Sequence, residues 1–353
     1  MKIKPIKIKT PKGERLIGPG QPVFIVAEMS GNHNGDIRRA YKIIDAAAAA
    51  GVDAVKLQTY TPDTMTIDCN KKYFVVQGDL WGGQSLYDLY KTAYTPWAWQ
   101  PKLKKYAEKK GLVCFSTPFD ETAVDFLEKM KVQLYKVASF EVVDIPLLER
   151  IGQTKKPVFM SRGMASPEEL KLALKTLKKF GCPQVIVLQC ISAYPAKPEQ
   201  MNLATIPDLQ KRLKAPVGLS DHTLSNNVSI SAVALGACVI EKHFTLKRSD
   251  GGPDAAFSFE PKELKNLVAA VKEIRVAVGR PFYGGQNEKA MRLYRRSLFA
   301  VEDIKKEEKL TKKNVRSIRP SNGLPPKYFC KILGRIAKRD IEKGTPLSWN
   351  LMK

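Results

Sequence analysis

With 353 residues, 44% of them hydrophobic and 27% charged, the chain is long enough for one large α/β barrel and a small second domain, and its composition is that of an ordinary soluble globular protein. The 59 Lys and Arg against 35 Asp and Glu leave a formal net charge of +24, but the basic residues are dispersed without an arginine-rich arm, so a surface that steers anionic substrates is expected and a nucleic-acid partner is not. Six cysteines without CxxC spacing, no apolar run as long as a membrane span, and an amino terminus alternating Lys with Ile argue against a disulfide framework, a zinc knuckle and a membrane protein, and for a cytoplasmic one.

Met1 to Thr10 is followed by the turn-forming Pro11-Lys-Gly13 and Gly18-Pro-Gly20, so residues 1–22 are expected to form a hairpin closing the bottom of a barrel. Apolar, β-favouring runs then recur at Val23 to Ala27, Ala54 to Leu57, Leu112 to Phe115, Leu134 to Ala138, Pro157 to Met160, Val185 to Leu188, Pro216 to Leu219 and Cys238 to Ile240. Helix-period segments lie between them, such as the alanine-rich Asp36 to Ala50, which stops at Gly51. This alternation predicts a (β/α)8 TIM barrel over 23–279, with a doubly wound open sheet as the other arrangement of the same pattern. Thr61 to Pro101 is long and aromatic for a βα loop and is expected over the top of the barrel. Gly, Pro and Asn cluster from Gly279 to Gly285, so 280–293 reads as a linker and 294–353, with short strands and turns, as a small mainly β domain.

Chemistry concentrates where the strands end. Gly218-Leu-Ser-Asp-His-Thr223 and Val239-Ile-Glu-Lys-His-Phe-Thr245 each pass from apolar residues into polar ones, as a buried parallel strand does when it delivers ligands at its carboxyl end. The three histidines, His33, His222 and His243, all sit at such ends. Either of the last two alone reads as a hydrogen-bonded core residue; together, with Glu28 and Asp221 available, they predict a divalent metal site. A common pocket would also be faced by Gln58, Thr59, Ser116, Thr117, Ser139, Ser161, Ser192, Tyr194, Ser220, Glu241 and Lys242. Lys56 and Lys136 lie inside apolar strands, where an unpaired ammonium is costly to bury. Either a carboxylate such as Glu28 or Glu241 meets them within the barrel, or a phosphate or carboxylate ligand does, which the accompanying serines and threonines favour.

The series Ala27-Glu-Met-Ser-Gly-Asn-His33, Lys56-Leu-Gln-Thr59, Phe115-Ser-Thr-Pro-Phe119, Tyr135-Lys-Val-Ala-Ser139, Gly218-Leu-Ser-Asp-His-Thr223 and Glu241-Lys-His-Phe-Thr245 resembles the motifs of the sialic acid synthase family. The carboxyl-terminal Asp303-Ile, Arg316-Ser-Ile-Arg-Pro320, Gly323-Leu324 and Lys338-Arg-Asp-Ile341 resemble its antifreeze-like (SAF) domain. Trp81-Gly-Gly-Gln-Ser-Leu-Tyr-Asp-Leu-Tyr90 and Ala93-Tyr-Thr-Pro-Trp97 are most similar to the pseudaminic acid branch of that family.

The resemblance implies a transferase that condenses phosphoenolpyruvate with an N-acetylated sugar, here a 6-deoxy sugar with two acetamido groups, with N-acetylneuraminic or legionaminic acid synthesis as the neighbouring activities. It implies a divalent metal, manganese before magnesium or cobalt, on His222 and His243. Lys56, Thr117, Lys136, Ser139, Ser161, Ser192 and Ser220 would hold phosphoenolpyruvate. Glu28 would handle protons, and Gln58, Tyr194, Asp254 and Arg319 would line the sugar site. Arg319 would reach a partner's barrel in a homodimer that exchanges its carboxyl-terminal domains. Arg162, Ile191 and Ala193 depart from the family pattern and would alter or merely repack the pocket edge. The rings of Trp81, Tyr87, Tyr90, Tyr94 and Trp97 would either offer apolar surface to the sugar methyl or pack their own loop. A reading of another class makes the carboxyl-terminal domain a binding module on an inert barrel.

Overall fold

The structure is a computed structural model that describes residues 3–77, 80–283 and 288–353; positions 284–287 of the expected linker lie outside the described residues. The chain divides into two compact units, Met1–Gly279 and Arg280–Lys353.

The first unit begins with a hairpin of β1 (Ile6–Thr10) and β2 (Gly13–Ile17). Eight parallel strands follow: β3 (Phe24–Glu28), β4 (Ala54–Thr59), β5 (Val113–Pro118), β6 (Tyr135–Val137), β7 (Val158–Ser161), β8 (Val185–Cys190), β9 (Val217–Asp221) and β10 (Val239–His243). They pair in chain order, and β10 closes on β3, which makes the (β/α)8 barrel and rules out the open sheet. Most strands continue past their apolar runs into polar residues, because the upper layers of the barrel interior are lined by the charged and hydroxyl groups described below.

The sequence pattern explains the layers. Between the strands and the surrounding helices, Ile43, Ala47, Val55, Leu127, Leu148, Leu177 and Leu267 belong to one continuous apolar core. Inside the barrel, Phe24, Phe115, Phe159, Leu188 and Val239 fill the lower layers, and the hairpin contributes Ile6, Ile8 and Ile17 to that same cluster. The alternating Lys and Ile of the first strand is therefore a plug: isoleucines go up into the barrel and lysines to water. Helix starts follow their caps. The Asp36 side chain accepts from Arg38 N–H at the head of Ile37–Ala50, and that helix stops at Gly51 with φ 85°. No helix among the described residues is long and apolar enough to cross a membrane.

The second unit pairs β11 (Ser297–Ala300) with β12 (Val315–Ile318) in antiparallel fashion. Single bridges such as Ile304 with Ile341 and Ala337 with Met352 extend the β character around a small core of Leu298, Leu310, Val315, Ile332 and Leu347.

Candidate active site

Side chains alternate across a strand, so of the polar residues at the carboxyl ends only every second one enters the barrel. Lys56, Lys136, Glu28 and Glu241 do, and they form one buried charge cluster. Lys56 Nζ lies 2.8 Å from Glu28 Oε2 and 3.6 Å from Glu241 Oε2, and Lys136 Nζ lies 3.8 Å from Glu241 Oε1. The hydroxyls complete it: Lys56 donates to Thr117 Oγ1 (3.2 Å), Lys136 to Ser161 Oγ (2.7 Å), and Ser220 Oγ to Glu241 Oε1 (3.0 Å). The carboxylate alternative raised by the sequence is thus realised, and the hydroxyls that would orient a phosphate stand around the same two ammonium groups.

Burial sets the electrostatics. It pushes the Glu28 carboxyl up to about 7, against the attraction of Lys56. Burial works the same way on Glu241, but Lys136, Lys56 and the Ser220 hydroxyl outweigh it and hold that carboxyl below its usual range. Burial lowers Lys136, whereas at Lys56 it is outweighed by Glu241 and Glu28, which keep that ammonium charged. One carboxyl is therefore poised to exchange a proton near neutral pH while its neighbour stays ionised.

His222 and His243 face each other above this cluster, ring centroids 5.4 Å apart. The Ile191 carbonyl, 2.8 Å from His222 Nδ1, can only accept, so Nδ1 carries the proton and Nε2 keeps its lone pair. His243 Nδ1 is buried without any hydrogen-bond partner. Burial drives both imidazoles down, His222 to about 4, so both are neutral, the ligating form, at pH 7. Two neutral imidazoles with free lone pairs fit a divalent metal. Among the described residues no group of three or more His, Cys, Asp or Glu could hold an ion, so the protein's own donors here are the two imidazoles. Asp221 does not join them. Its side chain and that of Lys242 point out of the barrel and pair at 2.9 Å, both fully buried, with Lys242 Nζ 4.1 Å from the Phe259 ring centroid. Thr59 and Ser116 also face outward, hydrogen-bonded to each other at 2.6 Å.

His33 is a bracket for the turn after β3. Its Nδ1 accepts from Gly35 N–H (3.1 Å), which leaves Nε2–H to donate to Thr95 Oγ1 (3.0 Å). Just before it, Ser30 takes a left-handed φ of 47°, which turns its N–H to Glu28 Oε1 (3.0 Å) and its hydroxyl to Asp254. Asp254, raised by burial, is thereby tied to Glu28 through a single serine. Ser139 and Ser192 share a hydrogen bond of 2.8 Å under Gly163, where a Cβ would meet Ser139 Cβ at 2.2 Å. Gln58 is half-buried on the same strand face as Lys56. Of the atypical residues, Arg162 turns to Gln189 (2.8 Å) and Ile191 and Ala193 pack on the main core.

Aromatic rings wall the histidines. Tyr194 lies 4.4 Å from His222, Phe257 4.9 Å from His243 and 5.1 Å from Tyr194. Of the loop aromatics only Trp81 joins them, 5.8 Å from Tyr194 and donating its N–H to the Pro253 carbonyl. Tyr90 packs on Tyr60 and Trp97 on Phe126, serving the loop itself. Two residues of this site escaped the sequence reading. Phe257 follows no strand directly, and Glu141 comes after Ser139 in the turn Phe140–Val143. Its Oε2 is buried with no partner, and burial pushes it up to about 7 against the pull of Lys136 and Lys56. An acidic residue two positions beyond a strand-end serine was the available signal.

Arg319 belongs to the second unit, where it lines an open hollow of about 710 Å³ with Arg295 and Arg296.

Comparison with known proteins agrees with this geometry. The NeuB family profile matches residues 43–282 and the SAF domain profile residues 295–352. A pseudaminic acid synthase from Campylobacter jejuni is 43% identical over 330 residues, 92% of this chain and 95% of that protein. One from Helicobacter pylori is 41% identical, over 93% and 97%. The crystal structure of an N-acetylneuraminic acid synthetase from Leptospira borgpetersenii, solved with citrate, superposes with a TM-score of 0.73 at 33% identity, over 82% of this chain and 96% of that one. A closed barrel with paired ammonium groups and paired imidazoles at its mouth, matched over most of its length to these proteins, makes this chain a member of the NeuB family, with a carboxyl-terminal SAF domain.

Proposed function

We propose that the chain condenses phosphoenolpyruvate with 2,4-diacetamido-2,4,6-trideoxy-β-L-altropyranose, giving pseudaminic acid and phosphate. The observation that carries the reading is the buried Lys56 and Lys136 pair beneath two neutral histidines in a chain 43% identical to a pseudaminic acid synthase. The two ammonium groups hold the phosphate and carboxylate of phosphoenolpyruvate, and Thr117, Ser139, Ser161, Ser192 and Ser220 orient them. Gln58, Tyr194 and Asp254 line the sugar side. His222 and His243 would hold a divalent ion, manganese ahead of magnesium or cobalt, which would supply polarisation of the aldehyde of the open-chain sugar. C3 of phosphoenolpyruvate attacks that aldehyde, water adds at C2, and phosphate departs. Glu28, protonated about half the time near pH 7, is the general acid and base of these proton transfers. The six cysteines are unpaired, and we assign the enzyme to the cytoplasm.

Trp81, Tyr194 and Phe257 support the deoxy sugar, because an apolar wall accepts a methyl group. Such walls discriminate modestly, so mass spectrometry of the nine-carbon product should show kcat/KM for the diacetamido sugar roughly 10- to 100-fold above that for N-acetylmannosamine. Equal turnover of the two would reject the sugar assignment and keep the reaction.

The same proposal includes a homodimer whose carboxyl-terminal domains are exchanged. Phe140, Val143 and Met164, on the turns after β6 and β7, expose 57%, 56% and 59% of their surfaces at the barrel mouth, an apolar rim for a partner to cover. Arg319 and its neighbouring arginines would then meet the partner's substrates. Arg319→Ala and Lys56→Met variants, each nearly inactive, should regain roughly a quarter of wild-type activity when unfolded together and refolded, from statistical pairing of exchanged subunits. No recovery would exclude the exchange.

A further inference from the structure

On the face of the barrel opposite the histidines, the hairpin β1–β2, the foot of β3 and the helix Pro261–Val278 enclose a cavity of about 630 Å³. Lys12, Arg15, Lys272 and Arg275 reach it, against the carboxylates Glu14 and Asp53, so positive groups exceed negative ones by two. Their commitments differ. Arg275 donates to the Gln21 and Gly20 carbonyls at 3.0 and 2.8 Å, Glu14 pairs with Lys7 at 2.6 Å, and Asp53 accepts the Ile25 N–H at 2.9 Å. Lys12 and Lys272 have no ion-pair partner among the described residues. Arg15 donates from Nη2 to the Pro22 carbonyl at 3.1 Å and lies 3.4 Å from the Val23 carbonyl and from Asp53. The remaining wall is apolar, with Val23, Phe24, Val268 and Val271.

We propose that this cavity binds a small phosphate monoester carrying an apolar body. A phosphate monoester brings a charge of about −1.5 to −2 near neutral pH, which matches the excess of two, and the unpaired Lys12 and Lys272 ammonium groups suit its oxygens. The valine-rich wall takes the ester group. The cavity stands at the foot of the strands whose tops carry Glu28 and Lys56. Asp53 is locked to Ile25 in both directions, each bond 2.9 Å, and both reactive residues lie three positions further on, about 10 Å along the strands. A ligand here is thus distinct from phosphoenolpyruvate at the mouth.

Titration calorimetry with phenyl phosphate, compared between wild type and Lys56→Met to subtract binding at the mouth, tests the site. One equivalent per chain is expected, with a dissociation constant below about 1 mM. Inorganic phosphate and benzoate, each lacking one half of the recognition, should bind roughly tenfold more weakly. Lys12 and Lys272 are exposed, so the Lys12→Glu/Lys272→Glu variant should fold and turn over as wild type does, yet lose phenyl phosphate binding by at least roughly tenfold. Arg15→Gln should lose it as well. Absence of saturable heat with wild type, full binding by the double variant, or equal affinity for benzoate would each overturn the proposal. The loss of phosphoenolpyruvate affinity from wild type to Lys56→Met reports on the mouth, so failure of the substrate reading is distinguishable from failure of this one.

Discussion

Replacing Lys56 by Met is expected to lower phosphate release from phosphoenolpyruvate by roughly 10²- to 10³-fold while the barrel still folds. Lys56 is the ammonium closest to both inward carboxylates, at 2.8 Å from Glu28 and 3.6 Å from Glu241. Without it the phosphate would meet two carboxylates opposed only by Lys136, whose own pKa burial already lowers. Glu28 would also lose the neighbour that resists its upward shift, so it would hold its proton to higher pH and fail as a base. Stopped-flow phosphate detection checks the loss, with far-ultraviolet circular dichroism confirming the fold. A folded variant within threefold of wild type would show that Lys56 merely balances buried charge.

Lys242→Met should act on stability instead. Lys242 and Asp221 are fully buried on the outer face of β10 and β9, at matching positions of the ladder, and each lies one residue before a histidine. Asp221 also accepts from Ser229 Oγ (2.6 Å) and Thr223 N–H (2.9 Å), but among the described residues the ammonium is its only cation. Removing one member of a buried pair strands the other, a loss of about 3–5 kcal/mol. For a unit of this size that lowers the melting temperature by roughly 10 °C in calorimetry. Asp221→Asn/Lys242→Met should recover part of that loss, because the stranded charge is gone. A single variant as stable as wild type would mean that the pair is not buried in solution.

These two lysines show what the sequence made legible. All four of Lys56, Lys136, Asp221 and Lys242 stand in or just after apolar runs, and the runs themselves, with helices between, predicted the barrel, while only the pairing of β10 with β3 separates it from an open sheet. Grouping every strand-end polar residue into one pocket ignored the period of two. Glu241 and His243 enter the barrel, so Lys242 between them must leave it, and the same count sends Thr59 and Ser116 outward. Glu141 was hidden for a different reason. It sits in a turn, where no fixed period says which way a side chain points, and only the folded position of Phe140–Val143 brings its orphan oxygen toward Lys136. The rings of the long loop pose the same difficulty, and composition could not say that Trp81 alone among them reaches Tyr194.

In the proposed function the buried ammonium pair and the two neutral histidines act together on phosphoenolpyruvate and a deoxy sugar. Its most direct test is phosphate release by the metal-stripped protein, before and after manganese is restored, with the diacetamido sugar present or omitted. Release is expected only when both metal and sugar are supplied. Release without added metal, or none under any of the four conditions, would contradict it.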